Sequence, residues 1–219
     1  MTIQQYLEKY RSQATIVLVG PLYQPHDSWE RFDEPVIFVD GGAHFRRDKE
    51  GYTLGDGDSY HDILDTSLNC EKDFSDLAFA LNHLSPNFTH VTLLGFLGGR
   101  RDHEFFNFGE VQKFIQSHSP RTTVLFDKDV VAFSAGEWEF DVSGLFSLGA
   151  LETTSFVMTG ECKYQVPEPT KLPPLSSLGL SNFGHGTIKI NCAGPMLLFI
   201  NIDDSPLQHL VNEEKAKGK

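Results

Sequence analysis

The 219-residue sequence lacks several features that would place it in a membrane or in an oxidising compartment. No apolar run approaches the ~20 residues that a helix needs to span a bilayer. The polar segment Met1–Tyr6 does not resemble a signal peptide. Cysteine is scarce, with only Cys70, Cys162 and Cys192, an odd number without metal-ligand spacing. We therefore expect a reduced, cytoplasmic protein with no membrane partner.

Positive charge is also in short supply. The chain has 18 lysines and arginines against 30 aspartates and glutamates, a formal net charge of -12. Such an acidic chain is not expected to bind nucleic acid or an anionic membrane non-specifically. If it handles a polyanion such as ATP, it needs metal ions at the contact. Hydrophobic residues make up 40% of the sequence, enough for a substantial core in one large domain or two small ones.

The pattern of predicted secondary structure changes near residue 127. Before this point, apolar β-branched runs such as Ala14–Val19 and Thr89–Leu94 alternate with helical patterns, the first of them over Ile3–Ser12. This alternation predicts a mostly parallel sheet with helices on its faces. We therefore predict an α/β domain at residues 1–127.

After residue 127, short β-like runs separated by Gly, Pro and Ser follow one another without a convincing helix. The predicted strands are Val130–Ser134, Trp138–Val142, Leu145–Leu148, Thr154–Thr159, Gly186–Asn191 and Met196–Asn201. Many short strands with regular turn residues are typical of antiparallel sandwiches and open barrels. We predict an all-β sandwich domain at residues 128–219.

An acidic pair, Asp56-Gly57-Asp58, directly follows the short apolar run Tyr52–Leu54. Carboxylates are hard oxygen ligands, and one or two of them together with substrate phosphates are the usual way in which a protein holds Mg²⁺. Asp-Gly-Asp also occurs in ordinary turns, so the pair alone leaves both interpretations open. The pair does not fit an EF-hand loop, and the chain contains no P-loop motif that would hold a nucleotide in another way.

Two further clusters fall just after predicted strands: Asp40-Gly41-Gly42 and Gly98-Gly99-Arg100-Arg101-Asp102. Each has an ordinary explanation as a turn, a hinge or a helix cap. In open α/β sheets, however, ligands bind beyond the carboxyl ends of the strands, and this favours one crevice shared by all the clusters.

Chemistry suggests a role for each residue type in such a crevice. The glycines would let the backbone approach a phosphate chain closely, and they are Gly41, Gly42, Gly98 and Gly99. The carboxylates would share one or two Mg²⁺ ions, and they are Asp56, Asp58 and Asp76, with Asp73 as a substitute. Arg100 offers a fork of donors for phosphate oxygens.

Taken in order, five motifs of the chain resemble those of thiamine pyrophosphokinases. They are Asp40-Gly41-Gly42-Ala43, Gly55-Asp56-Gly57-Asp58-Ser59, Lys72-Asp73-Phe74-Ser75-Asp76, Gly98-Gly99-Arg100-Arg101-Asp102-His103 and Ser177-Leu178-Gly179-Leu180-Ser181-Asn182. The resemblance implies an α/β nucleotide-binding catalytic domain followed by a β-sandwich thiamine-binding domain. It also implies a homodimer with thiamine between the subunits. The implied reaction is transfer of the β,γ-pyrophosphoryl group of ATP to the thiamine hydroxyl, giving thiamine diphosphate and AMP.

The resemblance also implies roles for individual residues. The positions of the acidic Mg²⁺–ATP residues are Asp40, Asp56, Asp58 and Asp76, with Asp73 nearby. Arg100 and Asp102 fall in the motif that lines the nucleotide and thiamine pocket, and Asp102 or Asp73 is the candidate to orient the thiamine hydroxyl or accept its proton. Ser181 and Asn182 match the motif that reaches thiamine from the partner subunit. The chain departs from the family pattern at Ser75, where Thr is usual, at His44, where Asn is common, and after Asn182.

Three alternative functions stay open. A family relative could act on another hydroxymethyl heterocycle such as a pterin. A glycosyltransferase could use the Asp-x-Asp pair to hold a metal–nucleotide-sugar, and it would release UMP or UDP instead of AMP. A non-catalytic member of the fold could bind thiamine or its phosphates without turnover.

Overall fold

The computed structural model describes residues 1–25, 34–47, 50–60, 62–118 and 120–200. Its contacts divide the chain into two compact units. The first comprises Met1–Asp127 with Ala132–Ser134, and the second comprises Lys128–Val131 with the chain from Ala135 onward. Among the described residues, no helix combines the length and the apolar character needed to cross a membrane.

The first unit is built from parallel strands and α-helices. Its elements are α1 (Ile3–Glu8), β1 (Thr15–Val19), β2 (Val36–Val39), a 3-10 helix (Asp40–Phe45), β3 (Tyr52–Gly55), β4 (Thr66–Ser67), α2 (Asp76–His83), β5 (His90–Leu94), α3 (Arg101–Ser117) and β6 (Thr123–Phe126). The strands lie in the order β6-β5-β1-β2-β3-β4, and the described pairs are parallel. Because the chain proceeds from β1 towards β4 on one side and continues with β5 and β6 on the other, a switch point lies between β1 and β5.

The central strands of this unit are covered on both faces, as their continuous apolar sequences require. All four residues of β2 are buried. Tyr6 of helix α1 forms two hydrogen bonds with this strand. Its hydroxyl donates to the carbonyl of Val36 at 3.0 Å and accepts from the N–H of Val36 at 3.1 Å. Burial raises the pKa of Tyr6 well above its ordinary value. The helix ends at Glu8, four residues before the end predicted from the sequence.

The second unit consists of antiparallel strands. Its elements are β7 (Val130–Phe133), whose residues are divided between the two units, β8 (Gly136–Gly149), β9 (Thr154–Cys162), β10 (Val166–Leu172), a 3-10 helix (Ser177–Gly179), β11 (Asn182–Cys192) and β12 (Met196–Phe199). The order β10-β9-β11-β8-β12 is antiparallel throughout the described pairs. Parallel strands with helices in the first unit and β-strands in the second agree with the predicted fold class. A two-layer sandwich in the second unit stays a prediction.

The structure corrects the strand predictions in the second unit. The runs Trp138–Val142 and Leu145–Leu148 belong to one 14-residue strand, because Gly144 adopts a φ of 101° and the chain continues through it without a turn. Strand β10 was not predicted, since its prolines argue against a strand. It lies at the edge of the sheet and pairs with β9, a position that tolerates proline.

Candidate active site

A cavity of about 380 Å³ opens at the carboxyl ends of the parallel strands in the first unit. Members of all the clusters predicted to follow strands line it, namely Asp40, Asp56 with Asp58, and Gly98 with Arg100. The segment Pro21-Leu22, which follows β1, completes the wall next to the switch point. The parallel topology thus brings the loops together at the edge where ligands bind in such sheets.

Three carboxylates, those of Asp40, Asp56 and Asp76, meet in this cavity with one oxygen of each lying within 4.8 Å of the others. Each comes from a different segment: the end of β2, the end of β3 and the first turn of α2. Asp40 adopts a left-handed φ of 53°, which turns the chain sharply from β2 into the 3-10 helix. Gly55 permits the close approach of β3, because a Cβ there would lie 3.0 Å from the Cα of Asp40.

The environment of this group opposes a concentration of negative charge. Burial, reinforced by the neighbouring carboxylate of Asp76, raises the pKa of Asp40 above its ordinary value. Burial likewise raises the pKa of Asp76. Within the described part of the chain, the buried Oδ1 of Asp40 has no hydrogen-bond partner. A buried carboxylate oxygen without a donor, beside two other carboxylates, fits a ligand of a hard divalent cation.

The ammonium group of Lys72 lies beside two of the three carboxylates, those of Asp56 and Asp76. Its Nζ lies 2.7 Å from Oδ2 of Asp56 and 3.0 Å from Oδ1 of Asp76, and only 9% of its side chain is exposed. Burial by itself would lower the pKa of Lys72, but hydrogen bonds to the two carboxylates outweigh it and the pKa is raised. The hydrogen bond from Lys72 lowers the pKa of Asp56. The motifs contain Lys72, but sequence reasoning gave it no role. The available signal was its position four residues before Asp76.

Asp58 and Asp73, the other predicted metal ligands, lie outside the group of three carboxylates. Asp58 is exposed at the cavity wall, where it accepts a hydrogen bond from the hydroxyl of Ser59 at 2.9 Å. Asp73 is exposed and is not part of the cavity lining. The structure therefore brings Asp40, and neither Asp58 nor Asp73, next to Asp56 and Asp76.

Arg100 and Asp102 form an exposed ion pair at the start of α3. The Nε of Arg100 donates to Oδ1 of Asp102 at 3.1 Å, and a second bond joins the guanidinium to Oδ2. This pairing lowers the pKa of Asp102 to about 2. A carboxylate with such a low pKa is a poor proton acceptor near neutral pH. Arg100 lines the cavity whereas Asp102 does not. His103, which belongs to the same motif but was assigned no role, also lines it, and so does Asn107 of α3, which was not predicted.

The four predicted phosphate-binding glycines fall into two groups. Gly98 lines the cavity with a φ of 87°, and Gly99 follows it with a φ of 68°. Gly41 and Gly42 are buried in the 3-10 helix after β2. A Cβ on Gly42 would lie only 2.0 Å from the carbonyl oxygen of Val19, so this glycine is required for packing against the end of β1.

Ser181 and Asn182 lie in the second unit at the start of β11. Asn182 is 5% exposed, and its Oδ1 accepts hydrogen bonds from the N–H groups of Tyr164 at 3.0 Å and Phe183 at 2.8 Å. Its Nδ2 donates to the carbonyl of Tyr164 at 2.7 Å. The backbone N–H of Ser181 donates to the hydroxyl of Ser147 at 3.0 Å. The side chain of Asn182 thus holds the connection between β9 and β10.

No protein-family model and no curated protein matches the sequence. Solved structures do match. A thiamine pyrophosphokinase from Bacillus subtilis aligns with a TM-score of 0.69 and 22% identity, over 86% of this chain and 99% of that chain. The enzyme from Geobacillus thermodenitrificans aligns at 0.66 and 20%, over 87% and 99%. The enzyme from Candida albicans aligns at 0.66 and 17%, over 90% and 92%. The chain has the thiamine pyrophosphokinase fold. The solved structures confirm the fold that the motif resemblance predicted. Sequence identities of 17–22% establish a shared fold and nothing further.

Two of the three departures from the thiamine pyrophosphokinase motifs, Ser75 and His44, have local structural roles. Ser75 caps α2, since its hydroxyl accepts a hydrogen bond from the N–H of Ala78 at 3.0 Å. His44 contacts the acidic loop, with its Nε2 2.8 Å from the carbonyl oxygen of Ser59 and its ring edge-on to Tyr60. His44 therefore stabilises the loop that carries Asp58.

Proposed function

We propose that this chain is a thiamine pyrophosphokinase, which transfers the pyrophosphoryl group of ATP to the hydroxyl of thiamine in the presence of Mg²⁺. The products are thiamine diphosphate and AMP. One observation carries the proposal: the carboxylates of Asp40, Asp56 and Asp76 converge at the carboxyl edge of the sheet, with a buried oxygen of Asp40 that has no partner among the described residues. The fold, shared with thiamine pyrophosphokinases, supports thiamine and ATP as the substrates.

Asp40, Asp56 and Asp76 are the residues that would hold Mg²⁺, with Asp58 at the cavity wall as a further oxygen ligand through water. When bound, a divalent ion would supply positive charge that offsets the negative charge developing on the phosphates during transfer. Transfer of such a group depends mainly on positioning and on charge neutralisation, so the protein needs no covalent intermediate.

The exposed side of the cavity suits the phosphate chain of ATP. Gly98 presents backbone without a side chain, which allows a phosphate to approach closely. Arg100 supplies donors for phosphate oxygens. Asp102 has a low pKa and is paired with Arg100. We therefore propose that Asp102 orients the guanidinium of Arg100 and does not accept the proton of the thiamine hydroxyl.

The acceptor half of the proposal rests on the resemblance. We propose that the second domain, residues 128–219, is a β-sandwich that contributes to the thiamine site, and that two subunits form a cytoplasmic homodimer with thiamine between them. The carboxamide of Asn182 makes hydrogen bonds within its own unit. We therefore propose Ser181, rather than Asn182, as the residue of this motif that contacts thiamine.

The test is a product assay with alternative acceptors. The purified chain is incubated with ATP and Mg²⁺ together with thiamine or with a hydroxymethyl pterin, and AMP and thiamine diphosphate are separated by chromatography. We expect AMP with thiamine and none after EDTA is added. AMP formed only with the pterin would support the alternative acceptor. Thiamine binding without any AMP would support the non-catalytic alternative.

A matched pair of variants tests the acidic group. Asp76→Asn removes a charge from the group, while Asp73→Asn removes one from an exposed carboxylate three residues earlier. We expect Asp76→Asn to lower the rate of AMP formation by about 100-fold or more, the usual scale for losing an electrostatic contribution to a transition state. Asp73→Asn should stay within about twofold of the wild type, since surface changes away from a site have little effect. Equal effects of the two substitutions would reject this assignment of the metal ligands.

A further inference from the structure

The position of Lys72 poses a physical question, because an ammonium group and a divalent cation would compete for the same carboxylates. Its Nζ is within 3.0 Å of oxygens from both Asp56 and Asp76, and these two carboxylates belong to the group of three that fits a metal ion. With only 9% of its side chain exposed, Lys72 is not a surface lysine that happens to lie near an acid.

Charge explains why a lysine is present. Asp40 and Asp76 are partly buried, and burial together with neighbouring carboxylates raises the pKa of each. Without a counter-ion, three carboxylates within 4.8 Å would repel one another strongly in a poorly solvated site. The ammonium of Lys72 relieves this repulsion in the protein alone, and it does so with two charge-assisted contacts.

We propose that Lys72 is an internal counter-ion that occupies the acidic site in the free protein and gives it up when a metal–nucleotide binds. The inference rests on the metal site of the proposed function. A free divalent ion must displace Lys72 without offering it a new partner. A metal–nucleotide brings phosphate oxygens, which are good acceptors for a compact ammonium group. Lys72 thus makes the site favour the metal–nucleotide complex over free metal.

The proposal predicts that removing the ammonium strengthens the binding of free metal. Mn²⁺ serves as the probe for Mg²⁺, and its dissociation constant is measured by calorimetry without nucleotide. We expect Lys72→Met to bind Mn²⁺ at least about tenfold more tightly than the wild type, which corresponds to ~1.4 kcal/mol. Lys72→Gln, which keeps polar character in the side chain, should change in the same direction.

Lys113→Met is the matched control, because Lys113 also forms an ion pair, with Glu110 at 2.8 Å, but is 71% exposed on α3. It should bind Mn²⁺ as the wild type does. Circular dichroism confirms that each variant is folded before binding is measured.

The wild-type protein provides a readout that does not depend on any variant. Lysines are acetylated under limiting reagent, and the modification of Lys72 relative to Lys113 is measured by peptide mass spectrometry. We expect this ratio to rise when Mn²⁺ is added, because the displaced ammonium leaves its carboxylate partners. An unchanged ratio at a Mn²⁺ concentration that saturates the site overturns the proposal.

The outcomes separate this inference from the proposed function. If neither the wild type nor Lys72→Met binds Mn²⁺, the metal site and the role of Lys72 fail together. If the wild type binds Mn²⁺ but Lys72→Met binds it equally or more weakly, the metal site stands and the counter-ion role is overturned. Tighter binding in the Lys72 variants alone supports it.

Discussion

Asn182 provides a test of whether a predicted thiamine-binding residue acts through the substrate or through the fold. Its buried carboxamide makes three hydrogen bonds, two from backbone N–H groups and one to a backbone carbonyl. A typical hydrogen bond contributes about 1 kcal/mol net, and a buried donor left without a partner adds a further desolvation cost. Asn182→Ala removes all three bonds and leaves the buried N–H of Tyr164 without the acceptor it has in the wild type. We expect the free energy of unfolding to fall by about 3 kcal/mol.

The assay is urea denaturation monitored by fluorescence, with the midpoint and slope measured for each variant. Asn191→Ala is the matched control, because Asn191 lies on the same strand β11 but is exposed. It should change the free energy of unfolding by no more than about 0.5 kcal/mol, as is usual for surface positions. A loss below about 1 kcal/mol in Asn182→Ala would show that the hydrogen bonds of its carboxamide do not carry the stability assigned to them.

Two further predictions concern the first unit. Gly42→Ala should lower the free energy of unfolding by more than about 3 kcal/mol, because the new Cβ would clash with the carbonyl of Val19. Gly109→Ala on α3, where the added Cβ meets open space, should be neutral or stabilising by up to ~1 kcal/mol. Urea denaturation of both variants measures these changes, and equal losses would contradict the prediction. Burial lowers the pKa of His118 from its ordinary 6.5, so the unfolded chain takes up the proton first and stability should be lost as the pH falls below about 6.5. His118→Phe keeps a ring against Phe114, at present 3.9 Å away, and should flatten that pH dependence between pH 7 and 5; an unchanged slope would contradict it.

The general location of the site could be predicted from the sequence because it follows from topology. Alternating strands and helices imply parallel strands, and parallel strands place all their carboxyl ends at one edge. Asp40, Asp56 and Arg100 lie far apart in the chain, yet they line one cavity for this reason. The motif order added the fold family, which the solved structures of thiamine pyrophosphokinases match.

The membership of the acidic group could not be predicted from spacing; the motif resemblance named Asp40 together with Asp56, Asp58 and Asp76, but it did not show which of these carboxylates meet. Spacing favoured Asp58 and Asp73 because they are neighbours of Asp56 and Asp76 in sequence. Which carboxylates meet depends instead on the left-handed backbone of Asp40 and on the absence of a side chain at Gly55. Gly55 is visible in the sequence, but the φ of Asp40 and the close approach of the two segments at Gly55 are not.

Asn182 and Asp76 make the two halves of the proposed reaction separable. Asp76→Asn should lower the rate of AMP formation by about 100-fold or more in a protein that remains folded, because Asp76 is a charged group within the cavity. Asn182→Ala should reduce stability through Tyr164 and Phe183, whether or not substrate is present. If the folded fraction of Asn182→Ala retains the wild-type KM for thiamine, the role of Asn182 is to stabilise the connection between β9 and β10. If KM rises in the folded fraction, the remaining N–H of its carboxamide, or the path of the chain at Ser181, contributes to the acceptor site.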